Sequence, residues 1–372
     1  MKNKNDHTTD FLQDKLENQL QEELEILIKN DQGTKPPEWI LSPRAVFIFL
    51  MGGEVDGKMI TPKYIGDGAL IETAIATLAT DRALLLTGVP GTAKSRVSEH
   101  LAAAISGDTS FLVQGSSATT EEDLLFGWNY ASLIAKGPSE EALVPGPVAR
   151  AMQSGKLVRI EELTRIPSMI QDNLLSILSE KMMAVPELNL EIRARKGFNL
   201  IATSNDRDRG TYPLSDALKR RFNVVHLPLP HDLETETRII KMRLEQDVIE
   251  LDSKLDQICP EKEIQRLVQI FRELREGVTL DGKQKVKPPQ NVLSTAEAIS
   301  AIRQSLYLAT YFGSGQVTAK EIAVTLPGSI VKDEDRDGPA WEDYRQNIIR
   351  HRKEWADLAE ALQIDSPQLQ SS

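Results

Sequence analysis

The stretch ALLLTGVPGTAKSRVSEHLAAAISG, residues 83–107, passes from an apolar run through a glycine-bearing loop into a helix. The apolar run has the length of a buried strand and ends at Thr87. Gly88, Val89, Pro90, Gly91, Thr92 and Ala93 form the loop, and Lys94 and Ser95 open a helix that stops at Gly107. Physical chemistry gives this layout a purpose. Glycines let a backbone turn tightly enough for its N–H groups to converge on phosphate oxygens. A helix N-terminus adds the positive end of its dipole. The Lys94 ammonium is then placed for the outer phosphates and the Ser95 hydroxyl for a magnesium ion. One position departs from the strict pattern: Ala93 stands where a glycine is usual, at the cost of strain if that position needs a positive φ.

Outward from this loop, short apolar runs alternate with helical stretches, the pattern of a parallel sheet with crossover helices. The runs are residues 83–87, 110–113, 157–160, 198–203 and 223–227, with helices expected over 94–106 and 168–180. After the proline-marked segment LPLPHDLETET (227–237) the chain reads as helical, over 234–246, 261–276, 294–310 and 340–362. On the other side, residues 10–29 form an amphipathic pattern with Leu12, Leu16, Leu20, Leu24, Leu27 and Ile28 on one face. A second short helix starts at Ser42, with Pro43 in its first turn. Both read as covers for hydrophobic surface, with a partner-docking arm as the alternative. The expected organisation is an α/β core at 61–227, a helical extension at 1–60 and a small all-helical domain at 228–372.

Composition bounds the function. Over 372 residues, 40 % apolar and 27 % charged content is the balance of a soluble globular chain, long enough for two domains and an extension. A formal net charge of −11 argues against a nucleic-acid binder, which ordinarily shows a basic face, although a local basic patch is compatible with it. The one cysteine, Cys259, leaves no internal disulfide and no cysteine cluster for zinc. Residues 1–20 carry charges where a signal peptide needs an apolar core, and the longest apolar run, 45–51, is too short to span a bilayer. The cytoplasm is the expected compartment, with no membrane partner.

A second chemical signal is GKLVRIEELTR (155–165), an apolar strand ending in Glu161 and Glu162. The functional reading is that Glu161 supports magnesium and Glu162 is the general base that activates water; the alternative is a solvated acidic turn. Strand alternation puts Arg159 and Glu161 on one face and Glu162 on the other. A guanidinium in a central strand needs a partner, and Glu161 is the expected one.

With these residues in view, the chain resembles the MoxR-family AAA+ ATPases, in the clade with an insert in its second helix. GVPGTAKS (88–95) resembles that family's phosphate loop, where alanine before the lysine is usual. LVRIEELTRIPSMIQDNLLSILSEK (157–181) resembles its acidic motif, with glutamate at 161 where aspartate is usual. FNLIATSND (198–206) resembles the sensor strand and makes Asn205 the polar sensor; SDALKRRFN (215–223) resembles the segment ending in an arginine finger, Arg221, with Arg220 as the fallback. EEDLLFGWNYASLIAKGPSEEALVPGPVARAM (121–152) looks like the helix insert and KMMAVPELNLEIRARKGFN (181–199) like the hairpin before the sensor strand. In the lid, NVLSTAEAISA (291–301) places Ala296 where an arginine often reads the nucleotide.

The resemblance implies a P-loop AAA+ core followed by a helical lid, ATP and Mg2+ as cofactors, and a self-assembled ring, most often a hexamer, since an arginine finger serves a neighbouring subunit. It also implies a chaperone-like remodeller working with a von Willebrand factor A domain protein on a client complex. Other classes stay open at this point. Glu161 and the absent lid arginine suit a nucleotide-switched binding module with little turnover. Arg193, Arg195 and Lys196 suit a nucleic-acid motor, although ordinary surface charge on one strand is the better explanation of them. A metal-chelatase motor subunit shares the fold.

Overall fold

The computed structural model describes residues 16, 20–205, 210–249 and 255–364. They form two compact units, Met1–Gly88 with Ala93–Leu227, and Val89–Thr92 with Pro228–Ser372.

The first unit opens with α1 (Gln21–Asn30), α2 (Pro43–Met51) and a hairpin of β1 (Gly53–Val55) and β2 (Lys58–Ile60). Ser42 caps α2 by accepting a hydrogen bond from the Ala45 N–H, with Pro43 pre-set for the first turn. The expected first helix begins earlier, and Leu12 lies outside the described residues. Leu24 and Leu27 are buried as the amphipathic pattern requires, but Ile28 faces outward and is 46 % exposed. Then follow α3 (Gly68–Leu78), β3 (Ala83–Gly88), α4 (Lys94–Ser106) and β4 (Leu112–Gln114). Next come α5 (Glu121–Leu124), β5 (Phe126–Trp128), α6 (Tyr130–Lys136), β6 (Leu143–Pro145), α7 (Pro147–Ser154) and β7 (Leu157–Glu161). The unit closes with α8 (Ser168–Gln171), α9 (Leu174–Glu180), the hairpin β8 (Met182–Val185) and β9 (Leu190–Arg193), β10 (Asn199–Asn205), α10 (Asp216–Lys219) and β11 (Phe222–His226).

Its central sheet is parallel, in the order β11–β3–β10–β7–β4. Both faces are covered, so the strands read as continuous apolar runs, and alternation shares them between two cores. Leu84 and Leu86 of β3 pack with Leu24, Leu27, Val46 and Phe49 of the N-terminal helices. Ala83 and Leu85 point the other way, among Val148, Ile160 and Ala202. Register aligns Asn205 with Gly88 and Gln114 with Glu161, which brings the carboxyl ends of β3, β7 and β10 to one edge. That edge is where ligands sit in open α/β sheets. The stretch 121–152, between β4 and the strand that ends at Glu161, holds an antiparallel β5–β6 pair and α6, which buries none of its residues. The segment expected as one helix over 168–180 is two, α8 and α9.

The second unit is helical: α11 (Leu233–Ile249), α12 (Leu255–Ile258), α13 (Glu261–Glu276), α14 (Thr295–Phe312), α15 (Ala319–Ile330), α16 (Glu334–Asn347) and α17 (Ala356–Ile364). Two expectations are corrected here. Residues 340–362 do not form one helix: α16 begins before them, and two 3₁₀ turns, Ile349–His351 and Lys353–Trp355, separate it from α17. A helix is also present at α15, despite Pro327 within it. Cys259 is fully buried in this core, and burial pushes its thiol up to about 12, so it packs rather than reacts. Among the described residues no helix is long and apolar enough to cross a membrane.

The unit is organised round a buried carboxylate. Glu236, fully buried, accepts hydrogen bonds from Arg275 at 2.8 Å, Arg272 at 3.3 Å and the Thr295 hydroxyl at 2.7 Å. Removing it leaves two guanidinium groups without their shared counter-charge. Glu236→Ala is expected to lower the unfolding free energy of this unit by about 3–5 kcal/mol, the cost typical of breaking a buried pair. Urea titration followed by circular dichroism measures it, and a loss below about 1 kcal/mol would mean that water reaches the site.

Candidate functional site

The loop after β3 takes the backbone the sequence demanded of it. Gly88 and Gly91 have φ of 146° and 81°, and Ala93 has φ 64°, in the left-handed region. The positive φ foreseen for that position is therefore present, carried by an alanine at the start of α4. Thr92 closes the turn through its hydroxyl to the Val89 carbonyl at 3.0 Å. Lys94 is almost fully buried and donates from Nζ to the Gly88 carbonyl at 2.9 Å, reaching back from the start of α4.

The two acids have different environments. Glu161 ends β7 and is buried. Its Oε2 accepts from Ser95 Oγ and from Thr203 Oγ1, both at 2.7 Å, and its Oε1 lies 2.5 Å from Ser98 Oγ. Arg159 Nη1 stands 3.6 Å from Oε1, so the expected pairing within the strand is observed. Glu162 does not continue the alternation: it leaves the strand with φ 56° and ψ 45°. Its N–H donates to Thr203 Oγ1 at 3.1 Å, and Asn205 Nδ2 donates to its Oε1 at 2.6 Å. Thr203 thus accepts from the backbone of one acid while donating to the side chain of the other.

Two further residues hold this turn. Gly115 N–H donates to the Glu161 carbonyl at 2.8 Å, and a Cβ on Gly115 would meet the Glu162 carbonyl oxygen at 2.5 Å. Only glycine permits that approach. Gln171, buried, donates to the Ile166 carbonyl at 2.8 Å and reaches those of Leu163 and Tyr212 at 3.3 Å.

Ser95, Glu161, Glu162 and Asn205 are therefore brought together beside Lys94. Arg221 is not among them. It is half-buried at the amino end of β11, where Nε donates to Ser179 Oγ at 2.8 Å and Nη1 to the Ala217 carbonyl at 3.1 Å. Arg220 is exposed, and its carbonyl accepts from Arg82. Arg193, in the hairpin, pairs with Glu191 at 2.8 Å. Residue 296 lies in the first turn of α14, which Ser294 caps with Glu297 in a capping box. Sequence reasoning missed Thr203, Ser98 and Gly115. Ser98 is one helical turn beyond Ser95 on the same face. The pairing of Ala202 with Ile160 sets Thr203 beside Glu161.

A hydroxyl and a carboxylate oxygen are the hard ligands magnesium takes, with phosphate oxygens and water completing its shell. Ser95 and Glu161, already within 2.7 Å of each other, fit that ion.

The parallel five-stranded sheet with a phosphate loop at its carboxyl edge and a helical unit behind it in sequence is the fold of an AAA+ ATPase. Residues 83–222 match the family described as AAA domain (dynein-related subfamily), and residues 234–361 match the YehL-like AAA+ ATPase C-terminal domain. The uncharacterized protein YehL of Escherichia coli (strain K12) is 38 % identical over 343 residues, covering 90 % of this chain and 91 % of that one. The chain belongs to the YehL-like AAA+ ATPases. An uncharacterized protein of Staphylococcus aureus (strain USA300) is 29 % identical over 197 residues, 52 % of this chain and 71 % of its own length. The crystal structure of NtrX from Brucella abortus in complex with ADP aligns at 14 % identity and TM-score 0.44, over 69 % of this chain and 54 % of that one.

Proposed function

We propose that the chain hydrolyses ATP with Mg2+ and spends the cycle remodelling partner protein complexes as one subunit of a ring. The observation that carries the hydrolytic part is the contact of Asn205 Nδ2 with Glu162 Oε1 at 2.6 Å, beside Ser95 and Glu161. In this reading Lys94 and the N–H groups of Gly88, Val89, Gly91, Thr92 and Ala93 bind the phosphates, with Pro90, which has no N–H, part of the same loop. Ser95 and Glu161 would hold magnesium, which when bound would supply positive charge to the outer phosphates. Glu162 takes the proton of the attacking water on its carboxylate, and Asn205 fixes the direction of that carboxylate. A base that is merely solvated would not be pinned from both its backbone and its side chain.

The ring, the cytoplasmic setting, a von Willebrand factor A domain partner and a client complex are supported by the MoxR resemblance and, for the ring, by Arg221. Lys94→Ala is expected to weaken ATP binding at least about 100-fold, since it removes the principal side-chain charge on the outer phosphates. Calorimetric titration tests it, and unchanged affinity would end the assignment of the loop. Affinity purification with Glu162→Gln held in ATP is the route to the client. Recovery of the same partners with Lys94→Ala would show that nucleotide does not govern the association.

A further inference from the structure

Glutamate at 161 has three side-chain torsions and reaches further than its neighbours in the strand need. A carboxylate with that freedom presents either oxygen to a cation unless something else holds one of them. In this chain both oxygens accept hydroxyl bonds, but Oε1 is bonded to Ser98 whereas Oε2 shares its bonds with Ser95 and Thr203. Oε1 lies 2.5 Å from Ser98 Oγ, within the range of a charge-assisted O–H···O bond. Ser98 Oγ is also 2.8 Å from the Ser95 carbonyl, but a hydroxyl has one proton, and the acceptor-only carboxylate is the stronger claim on it. Arg159 backs the same oxygen at 3.6 Å. Its guanidinium is itself fixed, with Nη2 donating to the Thr109 carbonyl at 3.2 Å and lying 3.9 Å from Glu99 of α4. Ser98 and Arg159 are both buried, so neither contact is diluted by solvent. Oε2 faces the other way, toward Ser95 and Thr203.

We propose that Ser98 and Arg159 are positioning residues that anchor Glu161 Oε1 and so commit Oε2 to the cation beside Ser95. This rests on the reading of Ser95 and Glu161 as the cation-holding pair. The anchor is specific to the longer acid, because an aspartate on the same Cα ends one methylene short of Ser98. Partners in the shell behind a metal ligand typically contribute 10–100-fold in affinity, which sets the expected scale.

The test measures free Mn2+ by electron paramagnetic resonance while the full chain, saturated with a non-hydrolysable ATP analogue, is titrated. Ser98→Ala is expected to weaken Mn2+ binding about 10-fold or more, with the metal-free nucleotide affinity unchanged and a modest fall in the melting temperature from the lost buried bond. In a Glu161→Asp background the same Ser98→Ala change is expected to cost less than about 2-fold, since the shorter acid has already lost the contact and residues in contact are coupled rather than additive. Arg159→Met should weaken Mn2+ as Ser98→Ala does; if that variant does not fold, the serine series decides alone. Unchanged Mn2+ affinity in Ser98→Ala, or an equal loss in both backgrounds, overturns the anchor. Glu161→Gln separates the two levels: if it leaves Mn2+ binding intact, the cation-holding pair is wrong, and if it alone weakens binding, only the anchor is wrong.

Discussion

Glu162→Gln is expected to bind ATP as tightly as the native chain and to hydrolyse it about 10²–10⁴-fold more slowly, the range lost with a general base. The substitution is nearly isosteric and keeps the backbone that matters. Glutamine tolerates the φ of 56° no worse than glutamate, and the Glu162 N–H to Thr203 bond is unaffected by side-chain identity. The amide can turn its oxygen to Asn205 and preserve the 2.6 Å contact seen with Oε1. What it cannot do is accept a proton from water. Phosphate release under saturating ATP and magnesium gives the rate, and calorimetry gives the affinity. Asn205→Ala should fall in the same direction by a smaller factor, because it loosens the base without removing it. If Glu162→Gln turns over normally while Glu161→Gln is inactive at saturating magnesium, the roles of the two acids are reversed.

How much of this was legible before the structure depends on where each constraint originates. The bounds of α4 follow from local chemistry alone: Lys94 follows a glycine loop and Gly107 ends the helix in the left-handed conformation. The sheet was legible because its strands are buried on both faces and read as apolar runs. The breaks in the expected long helices were not. Between α8 and α9 the chain turns where Gln171 is drawn to three carbonyls, two before it and one at Tyr212. Between α16 and α17 the apolar spacing of Trp341, Tyr344, Ile348, Trp355 and Leu358 continues as if helical. The interruption falls where Arg352 bonds Glu273 at 2.8 Å, 79 positions earlier, and stacks over Trp355 at 4.3 Å. A distant carboxylate leaves no mark in a local window. Pro327 inside α15 and Pro339 inside α16 mislead in the opposite sense, since each suggests a boundary where the helix in fact continues. In the site, residue types at motif positions were readable, whereas Ser98 and Thr203 became visible only through register and helix face.

Arg221→Ala is expected to bind ATP normally and to lose about 10³-fold or more of turnover, the scale of an arginine finger. Distance fixes the mode of action. Phe222 pairs with Ala83 at one end of β3, while the phosphate loop starts with Gly88 at the other. Five steps of strand at ~3.3 Å each put the loop roughly 16 Å away, beyond the reach of an arginine side chain. Arg221 therefore serves a second subunit or none. Its guanidinium is held by Ser179 and the Ala217 carbonyl, contacts that orient it while the residue stays half-buried. Ser179→Ala should then alter turnover only modestly, since it removes an orienting bond and leaves the charge. The sharper test mixes Arg221→Ala with Lys94→Ala subunits. Each alone is expected to be inactive, yet mixed interfaces would pair an intact loop with an intact finger, so partial hydrolysis should return as the two are combined. Dependence of native activity on protein concentration is the companion result. A mixture that co-assembles and stays inactive, or an Arg221→Ala chain that is fully active, would rule the finger out at this position and turn attention to the exposed Arg220, one residue earlier.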